Sequence, residues 1–380
     1  MTKFIKSISL FANGGIGEYY IQSVGIKNVI ANELLGERCR WYKSIYPHCS
    51  VIPGSIENPK IFYKLVKLAN KERIELLTGS PPCQNITVAN GNKDKGANPT
   101  NHLIVTTIDL IKEIKTLKYI LLENAANWFK FKPSAIPELK GRNIKEYLID
   151  ELTACGFKYI HARILNAADY GTPQNRKRSI LIASKEEDWI LPEKEKRISL
   201  KEAIFDLESL ESGEYSETDP WHYAPVWNET LVNIMRHTPT GCSAWENKNP
   251  KYRTFKKDGT AAKEYRSAYS RNKANEPCCS ILMKSTSNGG MKTCHPGRYI
   301  GKDDNGDDIY SDARAFTIRE LLIICGLPSD YPIPDFAINN DQLIRDILGE
   351  CFAPQLVKRL LAKIPRTTPF CNPKKGLNHE

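Results

Sequence analysis

The sequence predicts an α/β protein: a doubly wound, mostly parallel sheet, with a second, smaller and irregular domain. Three observations carry this. From residue 4 to about residue 185, strand-like and helix-like segments alternate, the pattern of a parallel sheet covered on both faces. A glycine-rich turn, Ala12-Asn13-Gly14-Gly15-Ile16-Gly17, joins the first strand to the first helical segment, as in nucleotide-binding sheets. Beyond Lys185 the periodicity fades, and residues 214–312 are rich in Asn, Thr, Gly and aromatics, with prolines as breaks. The domain boundaries read as 1–190, 191–330 and 331–380, the last segment returning to the first domain.

Taken in order, residues 4–11 form a strand whose end is apolar, and Glu18 to Val24 has helical character. The glycines let a ligand approach the backbone, and the following helix offers free N–H groups. Residues 27–33 make a second strand ending in Glu33. Two readings of Glu33 stay open: a two-oxygen acceptor for a ribose diol, or a cap for the helix that follows. Helices over 36–46, 59–70, 101–114 and 144–155 alternate with strands over 50–56, 76–79, 119–124, 159–165 and 179–183. Ligands in such sheets sit at the carboxyl ends of the strands. Phe11, Glu33, Cys83 and Glu123 all fall there.

Leu76-Leu77-Thr78-Gly79-Ser80-Pro81-Pro82-Cys83-Gln84 is a short buried strand that ends in a stiff turn presenting one thiol. Two prolines fix φ, so the direction of Cys83 depends little on loop motion, as a nucleophile requires. A small buried hydrophobe is the plainer reading of any single cysteine. Eleven cysteines without paired spacing or an export signal read as reduced thiols, with no metal site. No segment approaches the roughly 18 apolar residues that span a bilayer. The net charge of +10 suits a partner bearing phosphates.

Pro82-Cys83-Gln84, Glu123-Asn124-Ala125 and Gln174-Asn175-Arg176-Lys177-Arg178 follow one another in the order of a known set of motifs. So do Arg314-Ala315-Phe316-Thr317-Ile318-Arg319-Glu320 and Gly349-Glu350-Cys351-Phe352-Ala353-Pro354. Together they resemble the DNA (cytosine-5)-methyltransferases that use S-adenosylmethionine. The chain departs from that pattern at Ser9, Asn13, Ser55, Asn85-Ile86 and the stretch Asn98 to Leu103.

The resemblance implies a Rossmann-like methyltransferase sheet and a target-recognition domain. Cys83 would be the nucleophile at cytosine C6 and Glu123 a proton donor at N3, since burial at a strand end favours a protonated carboxyl. Arg176 and Arg178, two apart on a strand and so on one face, would clamp O2 and a phosphate. No residue identifies the base that removes the C5 proton after methyl transfer, and water is one candidate. The methyl donor would lie against Phe11 to Gly17, Glu33, Ser55, Ile56, Pro82, Asn101, Leu103, Glu350 and Cys351. The target base must rotate out of the duplex. Asn90-Gly91-Asn92-Lys93-Asp94-Lys95-Gly96 reads as a loop closing over DNA, with Gln84, Asn90, Asn92, Lys93 and Gln174 at the DNA. Residues 251–257, 263–266 and 269–273 hold eight basic residues among four aromatics, and Arg253, Lys257, Arg266 and Arg271 are expected to meet phosphates and bases. The expected protein is a cytoplasmic, prokaryotic or phage-type monomer acting on double-stranded DNA, with any cognate restriction endonuclease acting separately. A tRNA-directed enzyme and a DNA-binding protein with an inactive methyltransferase domain are the alternatives.

Overall fold

A computed structural model describes residues 4–82, 102–133, 136–254, 269–282 and 293–366. The chain folds as two compact units. One comprises residues 1–166, 177–194 and 354–380, the other residues 167–176 and 195–353. The second unit thus begins with a ten-residue excursion inside what the sequence suggested was the first domain, and runs past residue 330 to Ala353.

The first unit is built on a seven-stranded sheet, ordered β3-β2-β1-β4-β5-β8-β6. Its strands are β1 (Ile5–Leu10), β2 (Ile26–Glu33), β3 (Ser50–Pro53), β4 (Leu76–Gly79), β5 (Tyr119–Ala125), β6 (Tyr159–Asn166) and β8 (Lys177–Ser184). The first five pair in parallel, whereas β8 runs antiparallel to both β5 and β6. β5 is buried almost throughout, as a central strand covered on both faces must be.

Alternation along β1 sorts its residues. Ile8 and Leu10 enter the main core with Leu65 of α2 (Pro59–Glu72), Ile108 of α3 (Leu103–Glu113) and Leu148 of α4 (Ile144–Ala154). Ser7 and Ser9 fall on the opposite face. There Tyr42 of α1 (Gly36–Ile45) packs with Ala12, Ala31 and Cys49. Local chemistry sets the helix starts: Asn58 caps α2 ahead of Pro59, and Asn143 with Glu146 forms a capping box on α4. Residues 18–24 are not a continuous helix. Two 3₁₀ turns, Ile16–Glu18 and Ile21–Val24, carry the chain to Gly25, whose positive φ of 76° ends the segment.

The second unit is irregular, as expected. It holds a two-residue parallel pairing of β7 (Gln174–Asn175) with β9 (Cys278–Cys279) and an antiparallel ribbon of β10 (Tyr299–Lys302) and β11 (Asp308–Tyr310). Its described residues also include helices α5 (Leu200–Ile204), α6 (Glu229–Arg236), α7 (Ile318–Ile324) and α8 (Asp341–Gly349). Its centre is ionic as well as apolar. Arg314 is fully buried and donates to both carboxylate oxygens of Glu320 at 2.9 Å and to Asp312 at 2.7 Å.

The sequence suggested a returning helix pair over 343–363. The structure separates the two: α8 belongs to the second unit, where Arg345 donates to the Phe316 carbonyl, and α9 (Pro354–Ala362) to the first, where the Leu360 carbonyl accepts from Trp189. Among the described residues no helix is long and apolar enough to cross a membrane, and no cluster of His, Cys, Asp or Glu is arranged to hold a metal.

Candidate active site

The carboxyl ends of β1, β2, β4 and β5 lie along one edge of the first unit's sheet, and the antiparallel β8 brings its amino end to the same edge. After Leu10 the chain turns sharply. Phe11, Asn13 and Gly15 all have positive φ, at 55°, 50° and 75°. Such a turn costs non-glycine residues local strain and needs fixed partners. Glu33 supplies one: its buried carboxylate accepts the Asn13 amide at 2.8 Å. Its other oxygen accepts the amides of Leu34 and Leu35 at 2.8 and 3.0 Å. One carboxylate thus steadies both the glycine-rich turn and the residues that enter α1.

Leu34 and Leu35, next to it, expose 64% and 48% of their surface, an apolar face beside an anionic acceptor. Asn32 anchors the next strand end, donating to the carbonyls of Ile52 and Gly54 at 2.9 Å. Ser55 follows with its hydroxyl on the Glu57 amide, and Ile56 is buried. Leu103 opens α3 as a buried residue, and Asn101 lies outside the described residues.

The second group gathers around Glu123. It is buried in β5, accepts from the Ser80 hydroxyl at 2.6 Å and pairs with Arg178 Nε at 2.8 Å. Register explains the pairing: Arg178 stands opposite Ala125, so Glu123, two residues back on the same face, is its diagonal neighbour. Asn124 donates to the Pro81 carbonyl at 2.6 Å and ties the Pro-Pro turn to β5. Pro82 is exposed, and the chain leaves the described region immediately after it, so Cys83, Gln84, Asn90, Asn92 and Lys93 lie outside. Ser80 and Asn124 escaped assignment from sequence, although the Gly-Ser break and the Glu-Asn pair were visible there.

Three expectations are corrected. Arg176 does not share a strand face with Arg178. It falls between β7 and β8 in the second unit, where its buried guanidinium donates to the carbonyls of Ile281, Gly349 and Cys351 at 3.1, 3.0 and 2.8 Å. It is a staple for backbone rather than a clamp. Gln174, expected at the DNA, is 1% exposed, with its amide on Ile324 and Ile281 backbone. Arg271, expected on the DNA face, is fully buried and donates to the carbonyls of Met235, His295 and Asp312.

Arg253 is half-buried and donates to the Asn247 and Lys248 carbonyls, while Lys257 and Arg266 lie outside the described residues. Glu350 is exposed and Cys351 buried, both in the second unit.

Residues 5–366 match the family model of C-5 cytosine-specific DNA methylases. The chain belongs to that family. It is a DNA cytosine-5 methyltransferase, as the motif order implied. It is similar to the Type II methyltransferase M1.HgaI of Avibacterium volantium, with 40% identity over 96% of this chain and 99% of that one. Type II methyltransferase M.DdeI of Desulfomicrobium norvegicum is 29% identical over 57% of this chain and 52% of its own length. Among solved structures, Spodoptera frugiperda DNMT2 superposes with a TM-score of 0.60 at 17% identity, over 94% of this chain and 98% of its own. Entamoeba histolytica methyltransferase EhMeth gives 0.60 at 15%, over 95% and 98%. At those identities the likeness carries the fold alone, a Rossmann-like methyltransferase sheet.

Proposed function

We propose that this methyltransferase transfers a methyl group from S-adenosylmethionine to C5 of a flipped-out cytosine in a specific duplex sequence, through a bond between Cys83 Sγ and cytosine C6. The observation that carries the reading is the Glu123–Ser80–Arg178 group, beside the Pro81-Pro82 turn that leads into Cys83. The residues along the strand ends fit an adenosyl group. Glu33 is a fixed carboxyl whose Oε2 takes a single amide and keeps a lone pair for a ribose hydroxyl, and Leu34 and Leu35 offer an apolar face suited to a flat ring. When bound, the cofactor supplies the electrophilic methyl group.

The protein's own residues prepare the base. Cytosine C5 is too electron-poor to take the methyl group unaided. Addition of the Cys83 thiolate to C6 places the electron pair over N3 and C5, with Glu123 giving a proton to N3 and Arg178 fixing that carboxyl. C5 then bonds to the methyl carbon as that carbon's bond to the donor sulfur breaks and S-adenosylhomocysteine leaves, C5 loses its proton to water or another base, and the C6–S bond breaks to return the thiolate and release 5-methylcytosine. Glu123 recovers its proton as N3 gives it up.

The 40% identity to a Type II methyltransferase favours a modification enzyme whose endonuclease partner acts separately, on the same duplex DNA. The test is label transfer from S-adenosylmethionine to mixed-sequence duplex DNA by wild type and Cys83→Ala. Label at cytosine C5 with wild type alone is expected, and sequencing of the product reads out the target. Label on tRNA instead of DNA, or equal label with Cys83→Ala, overturns the proposal.

A further inference from the structure

Glu18 is the last residue of the 3₁₀ turn that closes the glycine-rich loop, and its carboxyl accepts a hydrogen bond from the Ser9 hydroxyl on β1. One side-chain contact thus ties the strand entering the loop to the turn leaving it. The loop between them is also held from below. Tyr46 donates to the Gly15 carbonyl at 2.7 Å, and a Cβ on Gly15 would lie 2.5 Å from the Tyr46 ring and 2.8 Å from that of Tyr42. Within this bracket the Gly15 amide closes on the Ala12 carbonyl, and Asn13 reaches Glu33. Any outward movement of Glu18 loosens the frame on which the Asn13–Glu33 contact depends.

We propose that Glu18 is a positioning residue for the methyl-donor site, holding the loop through Ser9 in the conformation that presents Asn13 to Glu33. The proposal rests on the assignment of that loop to S-adenosylmethionine.

Glu18 is also where pH should be felt. Burial pushes its carboxyl from 4.5 up to about 7, the Ser9 hydrogen bond lowering it only in part. From α1, Tyr42 faces it, and Cys49 comes from the turn before β3; burial raises both, Cys49 to about 12, so they stay protonated near neutrality. On neighbouring surfaces, Lys43 is engaged by the Pro47 and Cys49 carbonyls, and Lys358 of α9 stands 5.2 Å from the Tyr20 ring centre. A closed loop that holds its proton up to about pH 7, against 4.5 when opened to water, is favoured by acid and penalised as pH rises. If binding is wholly linked to closure, affinity falls about 30-fold between pH 5.5 and 8.5, and only about fourfold of that lies above pH 6.5.

The experiment is calorimetric titration of S-adenosylhomocysteine into the full-length protein from pH 5.5 to 8.5, for wild type, Glu18→Gln and Ser9→Ala. The probe's own amine titrates equally in all three. A wild-type decline in affinity that Glu18→Gln flattens while keeping the low-pH value is expected, as is weaker binding by Ser9→Ala at every pH. Superimposable profiles for wild type and Glu18→Gln, with Ser9→Ala unchanged, overturn the role of Glu18 while leaving the donor site intact. If Glu18→Gln fails to fold, Ser9→Ala decides alone: unchanged affinity overturns the proposal and weaker binding supports it. Wild type that binds no probe at any pH overturns the donor-site assignment and this proposal together.

Discussion

Replacing Arg176 with alanine separates a staple from a clamp. Its guanidinium donates to three carbonyls, those of Ile281, Gly349 and Cys351, which are more than a hundred residues away along the chain. Removing it takes a donor away from each of these three carbonyls. At about 1–3 kcal/mol for each carbonyl that loses its donor, offset by the desolvation the buried cation no longer suffers, the second unit should lose roughly 3–5 kcal/mol. Arg176→Lys retains charge without the fork and should recover only part of that. Urea unfolding gives the loss. Hydrogen exchange locates it, because the Cys278 amide on the Pro173 carbonyl and the Ile281 amide on Gln174 should exchange faster, while amides of β1 and β2 keep their protection. A folded Arg176→Ala protein within about 1 kcal/mol of wild type, yet inactive, would refute the staple and restore the guanidinium to the substrate.

Other outcomes follow from the same geometry. Glu123→Gln should slow methyl transfer by roughly 100-fold or more and leave DNA retention in a gel-shift assay largely intact; an unchanged rate rejects the acid role. His295 is fully buried, and burial lowers it from 6.5 to about 3. As pH falls below 6.5 the unfolded chain takes the proton first, so stability present above 6.5 is lost toward pH 3, at most about 1.4 kcal/mol per pH unit. Asp312 and Glu320, both held low chiefly by Arg314 and His295 against their burial, add acid sensitivity only below their ordinary carboxylate range. Comparing urea midpoints at pH 7 and pH 5 for wild type and His295→Gln isolates the histidine; equal slopes would contradict it. Arg271→Ala should lower stability by about 3 kcal/mol without altering the salt dependence of DNA binding, whereas Lys257→Ala should reduce that slope by about 1. The reverse pattern would return Arg271 to the DNA.

The sequence by itself determined the parts of this protein whose cause is local. Alternating segments required a covered sheet, and glycines after β1 required a sharp turn at its end. Pro81 and Pro82 after β4 required a stiff exit at that same edge. Those features put Glu33 and Glu123 at strand ends along one edge of the sheet. Tertiary structure decided which side chains of one type do what. Arg176 and Arg178 are two residues apart, but the chain passes between units there. One guanidinium is buried on backbone carbonyls, and the other, carried by the antiparallel β8, reaches Glu123.

Arg271 and Gln174 look like surface residues in a basic, polar sequence, and each is instead the partner of backbone groups supplied from 24 to 150 residues away. The Ser9–Glu18 tie needed the loop to fold back on its own strand. Periodicity and residue type encode which face of an element is apolar. They do not encode which distant carbonyl will be left without a donor when the chain closes, and that demand assigns the buried polar side chains.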